Sequence, residues 1–375
     1  MKYELGKVCS RLSSGKRIPA SQVSDRGEYP VYGGNGLRGY TDHANFEGEC
    51  AIIGRQGAFC GNVRFFSGKA YMTEHAVVVC TNEQTSTRYL AYLLSIMNLG
   101  RLSGQSAQPG LSVKTLAKQE IELPALEQQK KIVSILASLD DKIEQNQKLN
   151  DNLLQQAQAL YKSWFVDFEP FDGVRPSDWN IGEIKDLAQE IVCGKTPSTK
   201  IAEYYGSDIP FITIPDMHGN TYALMTERYL STLGANSQAK KMLPKNSVCV
   251  SCIGTAGLVA LVASESQTNQ QINSIIPKDE YSPFYIYLLM QTLSEVINKL
   301  GQSGSTIVNL NKAQFGKIQI TVPSVSSMKD FDNAISPLFA LILENQKENI
   351  CLSSLREALL PKLMSGEIDV SDIQL

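Results

Sequence analysis

LEQQKKIVSILASLDDKIEQNQKLNDNLLQQAQALYKSWF, Leu126 to Phe165, carries its apolar side chains on one narrow stripe. Ile132, Leu139, Asn146, Leu153 and Leu160 recur at every seventh residue, and Leu136, Ile143, Asn150, Ala157 and Trp164 follow four residues behind them. Two such series are the a and d positions of a coiled coil. A helix of about 40 residues rising roughly 1.5 Å each is a rod of about 60 Å. That is too long for a small core to bury, so the helix requires a partner.

The chain supplies one. From Leu111 onward it aligns with itself at a fixed offset of 199: Leu111 with Leu310, Lys118 with Lys317, Pro124 with Pro323, Asn146 with Asn345, Asn150 with Asn349, Leu160 with Leu359. The second helix therefore has its own two series, Phe331, Leu338, Asn345, Leu352, Leu359 and Ile335, Ile342, Asn349, Arg356, Leu363. A buried polar group without a partner costs about 1 to 3 kcal/mol, so an Asn layer satisfied in one alignment fixes register. An antiparallel pair sets Asn146 and Asn150 against Asn349 and Asn345. A parallel pair also aligns the layers, but a helix that follows each of two related domains favours the antiparallel one.

The expected fold class is α+β: two related globular domains separated by an antiparallel coiled coil of two long helices, an internal repeat with a pseudo-twofold axis. The expected boundaries are 1–125 for the first domain, 126–166 for the first helix, 167–180 for a linker, 181–324 for the second domain, 325–366 for the second helix and 367–375 for a tail. Tyr29–Gly33, Cys50–Gly54, Asn62–Phe66 and His75–Val79 read as short strands separated by Gly-rich turns, Glu120–Leu123 as a closing strand, and Arg88–Asn98 as a helix from its spacing.

With 375 residues and 43% hydrophobic content the chain can bury sizeable cores. No apolar run is long enough to span a bilayer, and MKYELGKVCS lacks a signal-peptide pattern, so the expected compartment is the cytoplasm. Eight scattered cysteines suggest reduced thiols, and the one CxxC, Cys249 and Cys252, lies in a strand-like run. The net charge of −3 is uneven: residues 1 to 125 carry 14 Lys and Arg against 10 Asp and Glu, and residues 180 to 324 carry 11 against 11, while the helical stretches are acidic. An anionic partner would meet the globular domains.

No catalytic constellation emerges. Gly194-Lys195-Thr196 ends like a phosphate loop, but Gln189 stands where that motif needs glycine. Asp178, Glu183 and Lys185 loosely resemble a nuclease set, yet they lie at a linker and a domain start rather than on a hairpin. His43, His75 and His218 are isolated from nucleophiles and from metal-ligand spacing, and His75 reads as a structural or loop residue. There is no NPPF or DPPY tetrapeptide and no strand-GxG fingerprint. Catalytic, cofactor and metal residues are accordingly expected to be none.

The helix sequence, the YPVYGGNG and GQSAQPGLS turns of the first half, and IPFITIPDM, GQSGSTIVNLNK and LLPKLMSGEI of the second resemble the specificity subunit of type I restriction-modification systems over nearly the whole chain. The resemblance implies a non-catalytic subunit that reads a bipartite double-stranded DNA target with two target-recognition domains. It implies two methyltransferase subunits docked on the helices, with restriction and translocase subunits joining them, and no membrane. S-adenosylmethionine, ATP and Mg are then expected in the partners and none in this chain. Two rival readings are a coiled-coil scaffold or adaptor that binds proteins through its globular domains, and an orphan specificity subunit that serves methylation only.

Candidate DNA-binding residues in the first domain are Lys16, Arg17, Asn35, Arg38, Arg55, Gln56, Asn62, Arg64, Gln105, Ser106 and Gln108. In the second they are Lys195, Thr196, Lys240, Lys241, Thr255, Gln270, Gln271, Gln302, Ser303, Ser305 and Thr306. Lysines suit phosphate, and Arg and Gln can pair bidentately with guanine and adenine edges. Asn146, Asn150, Asn345 and Asn349 set the helix-pair register.

Overall fold

The computed structural model describes residues 1–103, 110–302 and 309–373. The chain forms two compact units, Met1–Lys142 with Leu352–Leu375, and Ile143–Cys351. Long helices run over Leu126–Phe165 and Val325–Ser365, and each contributes one part to each unit. Among the described residues no helix is long and apolar enough to cross a membrane.

In the first unit a six-stranded sheet has the order Cys9–Ser14, Ala76–Thr81, Phe46–Gly54, Val63–Met72, Tyr29–Gly33, Gly36–Thr41. Its neighbours are antiparallel except Tyr29–Gly33 beside Val63–Met72, which run parallel with Val31 opposite Tyr71. The run CAIIG is apolar throughout because both faces of that strand are covered. Ala51 and Ile53 join Val77, Val79, Tyr89, Leu90 and Leu94 in one core, and Cys50 and Ile52 join Met72, Ala76 and Val78 in another. The helix Thr87–Ile96 lies on the first of these faces and starts where Ser86 Oγ accepts from the Tyr89 amide. Strand Glu120–Glu122 pairs with Lys2–Glu4, tying the segment before the long helix to the start of the chain.

The second unit repeats this plan with changes. Five strands follow the order Ala188–Cys193, Ile272–Pro277, Val248–Ser251, Val259–Val262, Tyr222–Ala223, and Tyr229–Leu230, Tyr205–Ile212 and Gln267–Thr268 form a smaller sheet. Helix Pro283–Thr292, begun by Ser282 Oγ accepting from the Phe284 amide, is the counterpart of Thr87–Ile96. Cys249 and Cys252 are fully buried packing groups, and burial pushes their thiols up to about 12 and about 11.

The helix pairing is antiparallel within each unit. In the second, Asn146 Nδ2 donates to Asn349 Oδ1 at 2.9 Å and Asn345 Nδ2 donates to Asn150 Oδ1 at 2.8 Å. Asn150 and Asn349 in turn donate to the carbonyls of Ile342 and Ile143. These bonds are reciprocal under the offset of 199, so the layer has local twofold symmetry. Asn146 also donates to Glu348. In the first unit, Ile132 and Leu136 share a core with Leu363, and Arg356, the one charged seam position, bonds Asp140 at 2.8 Å. Tyr92 donates to the same carboxylate, while Arg88 bonds Asp141 at 2.7 Å.

The bonded Asn pairs set a stability test. Asn146→Leu alone withdraws the donor used by Asn349 and Glu348 and is expected to cost about 1 to 3 kcal/mol. Replacing all four layer asparagines by Leu is expected to recover most of that loss, because no layer asparagine is left unpaired and the exposed Glu348 is solvated by water. Chemical denaturation of the two variants checks both. A quadruple variant weaker than the single one would contradict this account of the layer.

Tyr161, Trp164 and Phe165, which end the first long helix, belong to the core of the second unit. Phe165 lies 4.7 Å from Tyr285 and 4.8 Å from Phe331, and Trp164 lies 5.6 Å from Phe331. The segment that follows packs on the same cluster through Phe168, Phe171 and the 3% exposed Trp179.

Candidate nucleic-acid interface

The candidates of the first unit gather where three glycine-bearing turns meet. Gly34 and Gly54 sit against each other, since a Cβ on Gly54 would come within 2.6 Å of the Gly34 carbonyl. A Cβ on Gly34 would in turn lie 3.6 Å from the Arg55 amide and the Gln56 carbonyl, which sets the turn of Gly34 and Asn35 beside Arg55 and Gln56. Gly36 adopts a φ of 96°, and Arg64 crosses where its side chain would be, with Nη2 donating to the Asn35 carbonyl at 3.2 Å. Asn62, exposed two residues before Arg64, holds the other side through its carbonyl, which accepts from the Gly54 amide at 2.8 Å. Arg38 packs its stem against Gly33.

Lys16 and Arg17 are exposed immediately after a backbone crossing at Gly15. A Cβ there would lie 2.1 Å from the Met72 carbonyl, the same oxygen that accepts from the Lys16 amide at 2.9 Å. Only glycine permits that approach. Gln56 bridges to Gly110, and Gln105, Ser106 and Gln108 lie outside the described residues.

In the second unit the crossing recurs at Gly194, whose Cβ would lie 2.1 Å from the Asn269 carbonyl. Lys195 donates its amide to the Thr268 carbonyl at 2.9 Å, and Thr196 Oγ1 donates to Gln270 Oε1 at 2.7 Å. Gln271 is held by Asn269 at 3.0 Å, close to Gly254 and so to Thr255. Gln238 donates to the Lys195 carbonyl at 2.7 Å, which joins the short turn Ala239–Lys241, with Lys240 and Lys241, to the same patch. Gln302 is exposed at the end of helix Ser294–Gly301, whose last carbonyl accepts from the Asn309 amide; Ser303, Ser305 and Thr306 lie outside the described residues.

The two patches share one backbone frame. The Arg55 amide donates to the His75 carbonyl at 2.9 Å, and the Cys252 amide donates to the Gln271 carbonyl at 2.8 Å. The Leu111 amide donates to the Arg55 carbonyl at 2.9 Å, and the Leu310 amide donates to the Cys252 carbonyl at 3.0 Å. Bridges Gln56 to Gly110 and Ile253 to Asn309 correspond, as do the amides of Lys16 and Lys195 on Met72 and Thr268. The repeat thus extends through the turns that carry the candidate residues. Corresponding positions carry different side chains: Arg55 and Cys252, Gln56 and Ile253, Glu74 and Gln270, His75 and Gln271.

Sequence reasoning selected Gln270 and Gln271 but passed over Glu74 and His75, their counterparts. His75 Nδ1 lies 3.1 Å from Gln56 Oε1, and Arg55 Nη1 reaches the Glu74 carbonyl at 3.5 Å. In the sequence His75 reads only as a structural or loop residue at the head of a strand, and no motif ties it to Gln56. Among the described residues no group of three or more His, Cys, Asp or Glu could hold a metal ion.

Known proteins share the sequence pattern and the fold. The family described as type I restriction modification DNA specificity domain matches the chain twice, over residues 1–155 and 176–350. The type I restriction enzyme HindI specificity subunit of Haemophilus influenzae is 36% identical over 328 residues, 69% of this chain and 71% of that protein. The MjaIX specificity subunit of Methanocaldococcus jannaschii is 27% identical over 307 residues, 76% of this chain and 70% of that protein. The crystal structure of a type I restriction-modification S subunit from M. genitalium shares the fold with a TM-score of 0.65 at 15% identity, covering 97% of this chain and 95% of that one. The frame found twice by geometry is the domain found twice by sequence, and the chain belongs to the family of type I restriction-modification specificity subunits.

Proposed function

We propose that this chain reads a bipartite double-stranded DNA target, one half with each unit, and directs the methyltransferase subunits of a type I complex to it. The observation that carries this is the common frame with different side chains at matching positions. A shared frame approaches DNA in the same way in both units, because main-chain and Lys contacts to phosphate are independent of sequence. Unlike side chains on that frame select unlike bases, so the two half-sites differ. Lys16, Arg17, Lys195, Lys240 and Lys241 serve phosphate; Asn35, Arg38, Arg55, Gln56, Asn62, Arg64, Thr196, Thr255, Gln270, Gln271 and Gln302 face base edges.

The paired helices join the readers, and their outward residues offer the docking surface for two methyltransferase subunits. Leu149, Leu341 and Leu355 are more than 40% exposed on these helices and open to contact with a partner. Chemistry then resides in partners, which bring S-adenosylmethionine, and in restriction and translocase subunits, which use ATP and Mg. Co-expression with a cognate methyltransferase subunit, followed by mapping of methylated bases in genomic DNA, tests the proposal. A split motif with two unlike halves is expected. A complex that forms and methylates without such a motif would sink it.

A further inference from the structure

We infer that Asp140 with Arg356, and Phe339 with Ala157, are the residues by which each long helix selects the other and rejects the same helix of a second copy of this chain. The Asn layer cannot make that choice. Under the offset of 199, Asn146 and Asn150 are the equivalents of Asn345 and Asn349, so a second copy of either helix would offer the same amides in the same register. The layer fixes where the helices meet; it does not fix which helices meet.

The same offset carries Asp140 onto Phe339 and Ala157 onto Arg356. The four positions are therefore one layer that occurs twice, once in each unit, with opposite chemistry. In the first unit Arg356 bonds Asp140 at 2.8 Å, Tyr92 donates to the same carboxylate, and Arg88 bonds the adjacent Asp141 at 2.7 Å. In the second unit Ala157 and Phe339 are fully buried in one core, where the Phe339 ring stacks on Phe284 at 4.5 Å and meets Tyr287 edge-on at 5.5 Å. Each layer takes one residue from each long helix. Two first helices paired together would set Ala157 in the place of Arg356 and leave Asp140 without its guanidinium. Two second helices would set Arg356 in the place of Ala157, bringing a guanidinium with no carboxylate into an aromatic core. A charge that loses its partner in such surroundings is strongly destabilising, so both like pairings are penalised while the unlike pairing satisfies both layers. Specificity between coiled-coil partners is commonly set by such mismatches in the alternative. The choice matters during synthesis, when the first helix is complete before the second exists and a neighbouring chain can offer only a copy of the first.

Two differently tagged copies of the full chain, co-expressed and purified through one tag, measure the choice. Wild-type copies are expected to purify apart. Asp140→Phe with Arg356→Ala copies the second layer into the first, so that like and unlike pairings are filled equally well. The share of the second copy that copurifies is expected to rise about tenfold, the effect of one relieved charge mismatch. Asp140→Leu with Arg356→Ala makes the same change with a smaller side chain and is expected to act alike. Asp140→Arg with Arg356→Asp disturbs the same two positions but keeps the charges complementary between unlike helices only, and its copies are expected to purify apart. Copurification with the charge exchange as well as with the apolar pairs marks general damage to the helix pair and overturns the assignment. So does copurification with none of them, which would leave the choice to the chain connecting the helices, or copurification of the wild-type copies.

Discussion

Phe331→Ala is expected to destabilise the protein by about 3 to 5 kcal/mol, the largest effect of any single seam substitution. Phe331 is fully buried and its ring meets Trp164 at 5.6 Å, Phe165 at 4.8 Å and Tyr285 at 6.4 Å. It therefore joins the start of one long helix, the end of the other and helix Pro283–Thr292 in one core. Truncation removes the ring's transfer free energy and leaves a cavity that three other aromatic side chains cannot collapse to fill. Thermal denaturation measures the loss. Phe331→Leu, which keeps most of the volume, is expected to lose less than half as much; equal losses would show that burial of the helix ends is not the cause.

The second large effect is expected at the backbone crossings. Gly194→Ala puts a methyl group where the Asn269 and Thr268 carbonyls stand at 2.1 and 2.4 Å, both main-chain atoms that cannot rotate aside. The strands must part, and the Lys195 amide loses its bond to Thr268. Overpacking costs about 1 to 3 kcal/mol and a lost hydrogen bond about 1 kcal/mol more, so a loss of about 2 to 4 kcal/mol is expected. Gly219→Ala provides the comparison. Gly219 has a φ of 71° with nothing within 4 Å of a Cβ, so only the left-handed conformation opposes the change, at about 1 to 2 kcal/mol. Because the crossing also positions Lys195 and Thr196, Gly194→Ala should weaken recognition of one half-site and spare the other. Loss of both halves together at a temperature where the protein stays folded would contradict the separation into two readers.

Much of this was legible in the sequence because it depends on periodicity. The seam, the polar layer and the constant offset of 199 all lie in helices, where insertions are not tolerated and a repeat keeps its spacing. The strands Tyr29–Gly33 and Cys50–Gly54 were readable as short runs between Gly-rich turns, and the helix over Thr87–Ile96 from its apolar spacing. The repeat was harder to follow within the globular parts, since loops of different length change the offset between Lys16 and Lys195 or His75 and Gln271. Hydrogen bonds preserve the correspondence there where spacing does not. Pro337 and Pro361 also lie inside Val325–Ser365, where sequence rules would end or kink a helix. The helix continues because Phe331, Ile335, Phe339 and Ile342 are buried on one side of it, which offsets about 3 kcal/mol for each proline.

By itself the sequence determined that two long helices pair through a polar layer and that the chain is a duplication, because heptad spacing and a buried Asn admit few partners. The direction of pairing and the grouping of the candidate residues into two patches were decided by tertiary structure. Parallel and antiparallel pairs both align the layer, and only the bonds of Asn146 to Asn349 and Asn345 to Asn150 choose between them. The candidate interface is likewise built from turns far apart in the chain. Gly15, Gly34, Gly54 and His75 come together through main-chain contacts that leave no pattern in the order of residues.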